Sequence, residues 1–393
     1  MLRSLFSGIS GLRSHQTMLD VTGNNIANVN TTGFKSSMTQ FQDTLSQLLT
    51  GAGAGQDGLG GTNPAQVGLG VRVAGITTNF TQGSNQMTGR STDMMIQGDG
   101  FFVVRKGAET FFTRAGSFDF DATGQMVLPG EGALVQGWMA DANGVIDTNG
   151  PVTDLRVPVG AVMAAQATSS VTYEGNLDAN ADTGTVLHRT IDLYDATGVP
   201  RELDLTFTKT ATGWTVGATD GTDTVADTAI TFDADNVLTA PATLTVGGVT
   251  VNLAGMTGFS GLDTAKAARQ DGHAAGELQS FTLGADGTIM GSFSNGLKQA
   301  IGRIALSSFT NPSGLEKAGG SLFRTTVNSG DPMLGTAGGG GRGTLAGGSL
   351  EMSNVDLSSE FTNLIVAQRG FQANSRVITT SDEVLQELVN LKR

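Results

Sequence analysis

Three histidines, His15, His188 and His273, are the only imidazoles in this 393-residue chain, and cysteine is absent. A structural zinc site without cysteine needs histidines clustered with carboxylates. The sequence offers no such cluster, since the three fall in segments that read as a helix, a strand edge and a loop. Asp119, Asp121 and Thr123, followed by Gly124, imitate the start of a calcium-binding loop. Such a loop closes with a bidentate Glu at its twelfth position, where this chain has Gly130, so a hairpin turn explains the segment better. Asp192 with Asp195, and Glu202 with Asp204, are spaced as carboxylate pairs, which in one cleft could share the acid and base roles of glycoside hydrolysis. They alternate with apolar residues, however, which is the pattern of a solvated strand face. Neither a G-x-S-x-G elbow nor a G-x-x-x-x-G-K-[ST] phosphate loop occurs. The residues capable of chemistry point to no reaction, no metal and no cofactor. What remains is the scaffold itself.

Charged residues make up 15% of the chain, against about a quarter in an ordinary globular protein. Glycine contributes 57 residues, so turns are many and Thr, Ser, Asn and Gln cover the surface. A net charge of −13 argues against nucleic acid and against anionic membrane, which both reward Lys and Arg. No apolar run approaches the roughly 20 residues of a membrane span. The opening "MLRSLFSGISGLRSHQ" has neither the apolar core nor the cleavage site of a secretory signal. Any passage out of the cell is expected to use another route.

Both ends read as helix and the middle as strand. Leu2, Leu5, Ile9, Leu12, Leu19 and Ile26 follow a spacing of three to four, with Gln16 and Gly23 at the remaining seam positions. Ser4, Gly8 and Gly11 line one side and permit close helix approach. At the far end Leu357, Leu364, Phe371, Ile378 and Leu385 recur every seven residues, with Phe361, Gln368, Ser375, Asp382 and Val389 as partner positions. Seven-residue periodicity marks helices that wrap other helices. No proline falls before Pro64 or after Pro332, as helix interiors require. After Ile26 the run "ANVNTTGFK" loses helix propensity, because Asn and Thr bond to nearby backbone and Gly33 can take a left-handed turn. A corner is predicted there.

Between about 72 and 350, polar and apolar residues alternate, as in "ELDLTFT" with Leu203, Leu205 and Phe207, and "VTVNLAG" with Val249, Val251 and Leu253. That period belongs to half-buried strands. "DATG" at 121–124, "DANG" at 141–144, "DATG" at 195–198 and "DADN" at 233–236 mark hairpin turns. Asp accepts a hydrogen bond from the backbone two residues on, and Gly or Asn tolerates the left-handed fourth position. Gly-rich segments at 51–61 and 335–343 separate this β body from the helical ends.

A helix over 355–393 would span roughly 58 Å at 1.5 Å per residue, more than a partner from residues 2–28 could cover. Burying one Leu fully is worth on the order of 1.5–3 kcal/mol, so an uncovered seam is a large deficit for a lone chain. The seam is expected to be completed by other copies of the same protein. Contacts between subunits are accordingly expected at Leu5, Ile9, Leu12, Leu19 and Ile26, and at Leu357, Phe361, Leu364, Phe371, Ile378, Leu385 and Val389.

The segment "SGISGLRSHQTMLDVTGNNIANVNTTGFKSS" (7–37) resembles the N-terminal signature of the bacterial flagellar rod and hook proteins. Its turn comprises Asn24, Asn25, Asn28, Asn30, Thr31, Gly33 and Phe34. "NVDLSSEFTNLIVAQRGFQANSRVITTSDEVLQELVNL" (354–391) resembles their C-terminal signature. "MMIQGDGFFVV" (94–104) and "FTRAGSFDFDATGQMVLPGEGALVQGW" (112–138) are similar to strand segments shared by hook and distal-rod members. The large insert after "GW" resembles the outer domain of the hook branch, since rod members are shorter.

The resemblance implies a mainly β fold, with one or two β-rich domains inserted between terminal α-helices that form a coiled-coil-like inner layer of a helical polymer. Residues 1–30 and 355–393 would form the inner tube, 31–71 and 333–354 linkers, 72–150 and 276–332 an inner β domain, and 151–275 an outer one. It implies a structural, non-enzymatic subunit of the hook: a curved, flexible hollow tube that carries torque from rod to filament and passes exported subunits. The implied partners are copies of itself, the rod, hook-cap and hook–filament junction proteins, and the flagellar export apparatus. The implied location is extracellular, in the flagellum, reached without a cleaved signal. A distal rod-type protein is the near alternative. A secreted β-rich adhesin or glycosidase is the alternative from another class, and it would leave the heptad ends without a purpose.

Overall fold

The structure is a computed structural model and describes residues 2–55, 60–157, 160 and 162–390. The predicted helix end at 391–393, part of the Gly-rich segment 51–61 and the side chain of Leu2 lie outside the described residues. Helix α1 runs Leu2–Ala27 and helix α2 Leu357–Asn390. α2 starts two residues later than the sequence pattern suggests, because Asp356 caps it. The Asp356 Oδ1 accepts from the backbone N–H of Ser358 at 2.9 Å, supplying one of the partners that a helix start lacks.

The chain divides into two compact units, Met1–Pro158 with Thr282–Met290 and Ala300–Arg393, and Val159–Phe281 with Gly291–Gln299. In the first unit the central strand Phe101–Lys106 forms a hairpin with Glu109–Thr113. It also pairs with Ala133–Met139 and Leu306–Ser308. The inward residues Phe101, Val103, Phe112, Trp138, Phe309 and Phe323 make the core. Phe309 stands edge-on to both Phe101 and Phe112, with centroids 5.7 and 4.8 Å apart, the arrangement that aromatic quadrupoles prefer.

In the second unit five strands follow one another in an antiparallel sheet: Val186–Tyr194, Pro200–Thr210, Gly213–Thr219, Thr224–Phe232 and Leu238–Ala240. A four-stranded sheet holds Thr243–Val246, Val249–Thr257, Ser170–Asn176 and Lys266–Gln270. The two sheets share one core, in which Leu203, Leu205 and Phe207 from the first meet Val249, Val251 and Leu253 from the second. Ser170–Asn176 and Val249–Thr257 run parallel, a pairing between distant segments that hairpin turns alone do not announce.

The four Asp turns take the expected form. Asp121, Asp141, Asp195 and Asp233 each accept at one oxygen from the N–H groups two and four residues on, at 2.8–2.9 Å. The Thr197 hydroxyl and the Val199 N–H hold the carboxyl of Asp195 below its usual value, and the Gln125 N–H and Thr123 hydroxyl do the same at Asp121. The turn gives the Asp121 carboxylate its hydrogen-bond partners.

Three expectations need correction. Segment 31–71, expected as linker, contains Ser37–Asp43, which pairs with Val71–Thr78, and the hairpin of Ser46–Thr50 with Ala65–Gly68. Segment 333–354 likewise pairs: Thr344–Gly347 with Met94–Gln97, and Ser349–Glu351 with Asn85–Met87. The Gly-rich runs 51–61 and 335–343 suggested that the whole of each segment was linker, but the strands form from the residues that flank these runs. Residues 276–281 and 291–299, expected in the inner domain, belong to the second unit, while 151–157, expected in the outer domain, belong to the first. Leu155 and Val157 are buried there, and Leu155 N–H donates to Val135 O at 2.9 Å.

Candidate assembly site at the chain termini

α1 and α2 pack side by side through a seam of small and polar residues. A methyl group placed on Gly8 would lie 3.3 Å from Ile378 Cγ1, one on Gly11 2.6 Å from Asn374 Oδ1, and one on Gly370 2.5 Å from His15 Cε1. Gly8, Gly11, Ser14, Thr22 and Asn25 are buried along α1, and Ala367 is buried on α2. Small residues at these positions let the helix backbones approach closely.

The larger apolar residues flank this seam rather than fill it. Gln16 and Gly23, expected in the seam, are exposed. Leu5, Ile9, Leu12, Leu19 and Ile26 are half-buried, as are Leu364, Phe371, Ile378 and Leu385. Leu357, Phe361 and Val389 are exposed, Val389 by 68%. At 100° per residue, Leu364 and Phe371 lie on one flank of the α2 seam. Val366, Val377 and Val384 lie on the other, and all three are exposed. This second flank escaped the sequence reading because its a/d-type positions alternate with Gly370, Ala373 and Thr380.

The predicted corner is a hydrogen-bonded knot. Asn25 is 1% exposed. Its side chain donates to Ser37 O at 2.7 Å and accepts from Ser37 N at 3.0 Å, copying a strand pairing. Asn25 Nδ2 also reaches Glu360 Oε1 at 3.1 Å, which ties the end of α1 to the first turn of α2. Burial raises the Glu360 carboxyl above its usual value, with the Asn25 bond opposing it. Asn28 donates to Asn24 O at 2.9 Å and accepts from Thr31 Oγ1 at 3.0 Å. Gly33 takes φ +67°, and a side chain there would overlap the backbone of Ala115. The Phe34 ring carries Lys317 Nζ 4.8 Å from its centroid. Asn30 is exposed.

Beside the knot lies an ion cluster that the sequence reading missed. Lys35 Nζ reaches Glu351 Oε1 at 2.6 Å, and Arg114 Nη1 lies 3.4 Å from Glu351 Oε2; the Lys35 and Glu351 side chains are fully buried. Glu351 also accepts from Gly83 N at 2.8 Å, and Lys35 donates to Thr81 O at 2.8 Å. Desolvation by burial lowers both Lys35 and Arg114 from their usual values, with Glu351 opposing it. Lys35 and Arg114 lie inside the quoted signatures, but Glu351 does not, so their meeting required the fold.

The candidate catalytic groups do not converge. His15 packs edge-on to Phe41, with centroids 5.5 Å apart. His188 Nδ1 lies 2.8 Å from Asp204 Oδ2 on a largely exposed strand face, and His273 Nδ1 is 3.1 Å from Ala274 O. Asp192 and Glu202 stand opposite each other across two strands, both on the exposed face. Among the described residues no group of three or more His, Asp or Glu could hold a metal ion.

Two long terminal helices paired through a glycine seam bracket a mainly β chain. Residues 5–35 match the family described as flagella basal body rod protein, 95–222 the flagellar hook protein FlgE/F/G D1 domain, and 346–391 the flagellar basal body rod FlgEFG protein C-terminal. The chain is 40% identical over 443 residues to the flagellar hook protein FlgE of Borreliella burgdorferi, with 100% of both chains covered. It is 34% identical over 394 residues to the flagellar basal-body rod protein FlgG of Bacillus subtilis, again over 100% of both. A solved structure of Helicobacter pylori FlgE2 shares the fold, with a TM-score of 0.51 at 17% identity, covering 66% of this chain and 98% of that one. The chain belongs to the flagellar hook protein family, and its role is that of a structural subunit of the hook.

Proposed function

We propose that the α1–α2 pair forms the inner layer of a hollow tube built from copies of this chain, and that neighbouring copies cover the two apolar flanks. The observation that carries this reading is the mismatch in the helix pair. Its seam is closed by glycines and polar groups, while Leu364 and Phe371 on one side and Val366, Val377 and Val384 on the other stay partly or largely in water. Flanks on opposite sides of one pair suit a heterologous contact, which repeats into an open helical filament rather than closing into a dimer. Leu5, Ile9, Leu12, Leu19 and Ile26 supply the matching surface on α1, and Leu357, Phe361, Ile378, Leu385 and Val389 extend that of α2.

In this reading the knot at Asn24–Phe34 and the Lys35–Glu351–Arg114 cluster fix the helix pair to the first β unit, so that torque entering the helices is passed outward. The second β unit forms the outer layer, which slides as the tube bends. The work is mechanical rather than catalytic. The rod, hook-cap and hook–filament junction proteins would adjoin the tube ends, and the subunit would reach the cell exterior through the flagellar export apparatus. Cryo-electron microscopy of tubes assembled from the purified chain tests the reading. It requires α1 and α2 to line the channel with both flanks covered by neighbours; helices on the tube exterior would refute it.

A further inference from the structure

The second unit carries a firmly pinned loop that holds two large apolar side chains in solvent. In the segment 258–264, Phe259 is 51% exposed and Leu262 64% exposed. Isolated exposed leucines are ordinary on protein surfaces, but these two sit on a loop that is pinned from beneath. Asn176, only 8% exposed, donates from its side-chain amide to Phe259 O at 2.8 Å and to Leu262 O at 2.6 Å. Its side-chain oxygen accepts from Phe259 N at 2.6 Å and from Thr257 Oγ1 at 2.9 Å. Both donors and both acceptor sites of one amide are thereby committed to this loop and to Thr257, the last residue of the strand that leads into it.

Further bonds hold both ends and the tip. Thr264 N donates to Asn176 O at 3.0 Å, and Asn176 N donates to Thr264 Oγ1 at 3.1 Å. Gly261 N at the tip donates to Asp178 Oδ1 at 2.7 Å, where φ of +86° suits glycine. At the base, Gly258 lies against the ring of Phe232, where an added methyl would be 3.1 Å from it. A buried polar network that fixes two large apolar side chains outward has already met the ordering cost of a contact.

The geometry points to the Phe259–Leu262 loop as a preformed contact with a neighbouring copy of this chain, made within the polymer and not in free solution. The inference rests on the tubular reading above. Area selects the partner. Two side chains fall far short of the roughly 1,200 Å² that a stable interface buries, so the loop cannot capture a freely diffusing protein. A neighbour already held by the terminal helices is present at a high effective concentration, and a weak second contact then counts. Charge sets the chemistry. Residues 159–281 and 291–299 together carry fifteen acidic against six basic side chains, so facing second units repel, and an apolar contact is one that closes without opposite charges.

The chain has no cysteine, so a single thiol at Ser260→Cys can carry a benzophenone maleimide placed between the two side chains. Illumination of assembled tubes should give covalent dimers at least about tenfold above the yield from monomer at equal concentration. Adding Phe259→Ser and Leu262→Ser to the labelled chain should remove most of that yield, while the thermal transition of the monomer stays where it was. Equal yields in tube and monomer, no dimers in the tube, or a yield indifferent to the two substitutions would each overturn the contact. If the unlabelled chain forms no tubes at all, the tubular reading fails first and takes the contact with it.

Discussion

Lys35 Nζ and Glu351 Oε1 lie 2.6 Å apart with both side chains fully buried, joining the exit of α1 to the strand that precedes α2. Removing one partner of a buried pair leaves an uncompensated charge, which costs about 3–5 kcal/mol. Glu351→Gln should therefore lower the thermal transition of the first unit sharply and leave that of the second unmoved. Lys35→Met together with Glu351→Leu should cost less than Glu351→Gln alone, because it leaves one buried cation, Arg114, without its carboxylate where Glu351→Gln leaves both Lys35 and Arg114. Calorimetry reads both. An unshifted first transition in Glu351→Gln would show that this carboxylate is solvated.

Two glycines should respond with opposite signs. Gly33 has φ +67° and abuts the Ala115 backbone, so Gly33→Ala should destabilise the monomer by about 1–3 kcal/mol. Gly23 sits within α1 with nothing near its missing side chain. Gly23→Ala should stabilise by about 0.5–1 kcal/mol through backbone entropy. Denaturant titration of the monomer separates the two.

One substitution on each flank of α2 tests the polymer contacts. Leu364→Asp and, separately, Val384→Asp should each abolish tube formation while both β units melt as in the parent chain. A carboxylate buried without a partner costs several kcal/mol, and the cost repeats at every subunit. Sedimentation gives the readout. Normal tubes from either variant would place that flank in solvent.

Deleting 162–275 behind a short linker should leave a chain that still assembles but has lost its preferred curvature. Val162 pairs with Glu277, so the cut ends are close, as inserted domains allow. In a bent tube the outermost layer sees the largest difference in spacing, and contacts made only at the short spacing would select the bend. Curvature distributions from negatively stained tubes decide the matter. An unchanged distribution places the bias in the inner layers.

The second unit should lose stability in acid through Asp271. Burial alone would raise this carboxyl, but hydrogen bonds from the backbone and hydroxyls of Ser169 and Ser170 outweigh it and hold the pKa at about 2. The folded value is below the unfolded one of 3.8, so the contribution is present above the unfolded value and is lost as pH falls through the folded one. Asp271→Asn should make the second unit less stable at neutral pH and flatten its decline from 3.8 down to about 2. A pH profile parallel to the parent's would contradict this.

The sequence by itself determined the local layout. Proline placement and the seven-residue repeat announced both terminal helices. The alternation at Leu203, Leu205 and Phe207 announced strands, and Asp121, Asp141, Asp195 and Asp233 announced turns. Each is set by contacts within a few residues, which one segment can encode alone. The tertiary structure decided the rest. Gly8 and Gly11 marked the close side of α1 in the sequence, but which side of α2 meets it turned on Gly370 and Ala367, whose contribution is the volume they leave empty, and apolar periodicity cannot register that. The pairing of Thr344–Gly347 with Met94–Gln97, the parallel pairing of Ser170–Asn176 with Val249–Thr257, and the meeting of Lys35, Arg114 and Glu351 all join positions far apart in the chain. Their partners are chosen by burial and backbone geometry together, and no single stretch of sequence contains both halves of such a contact.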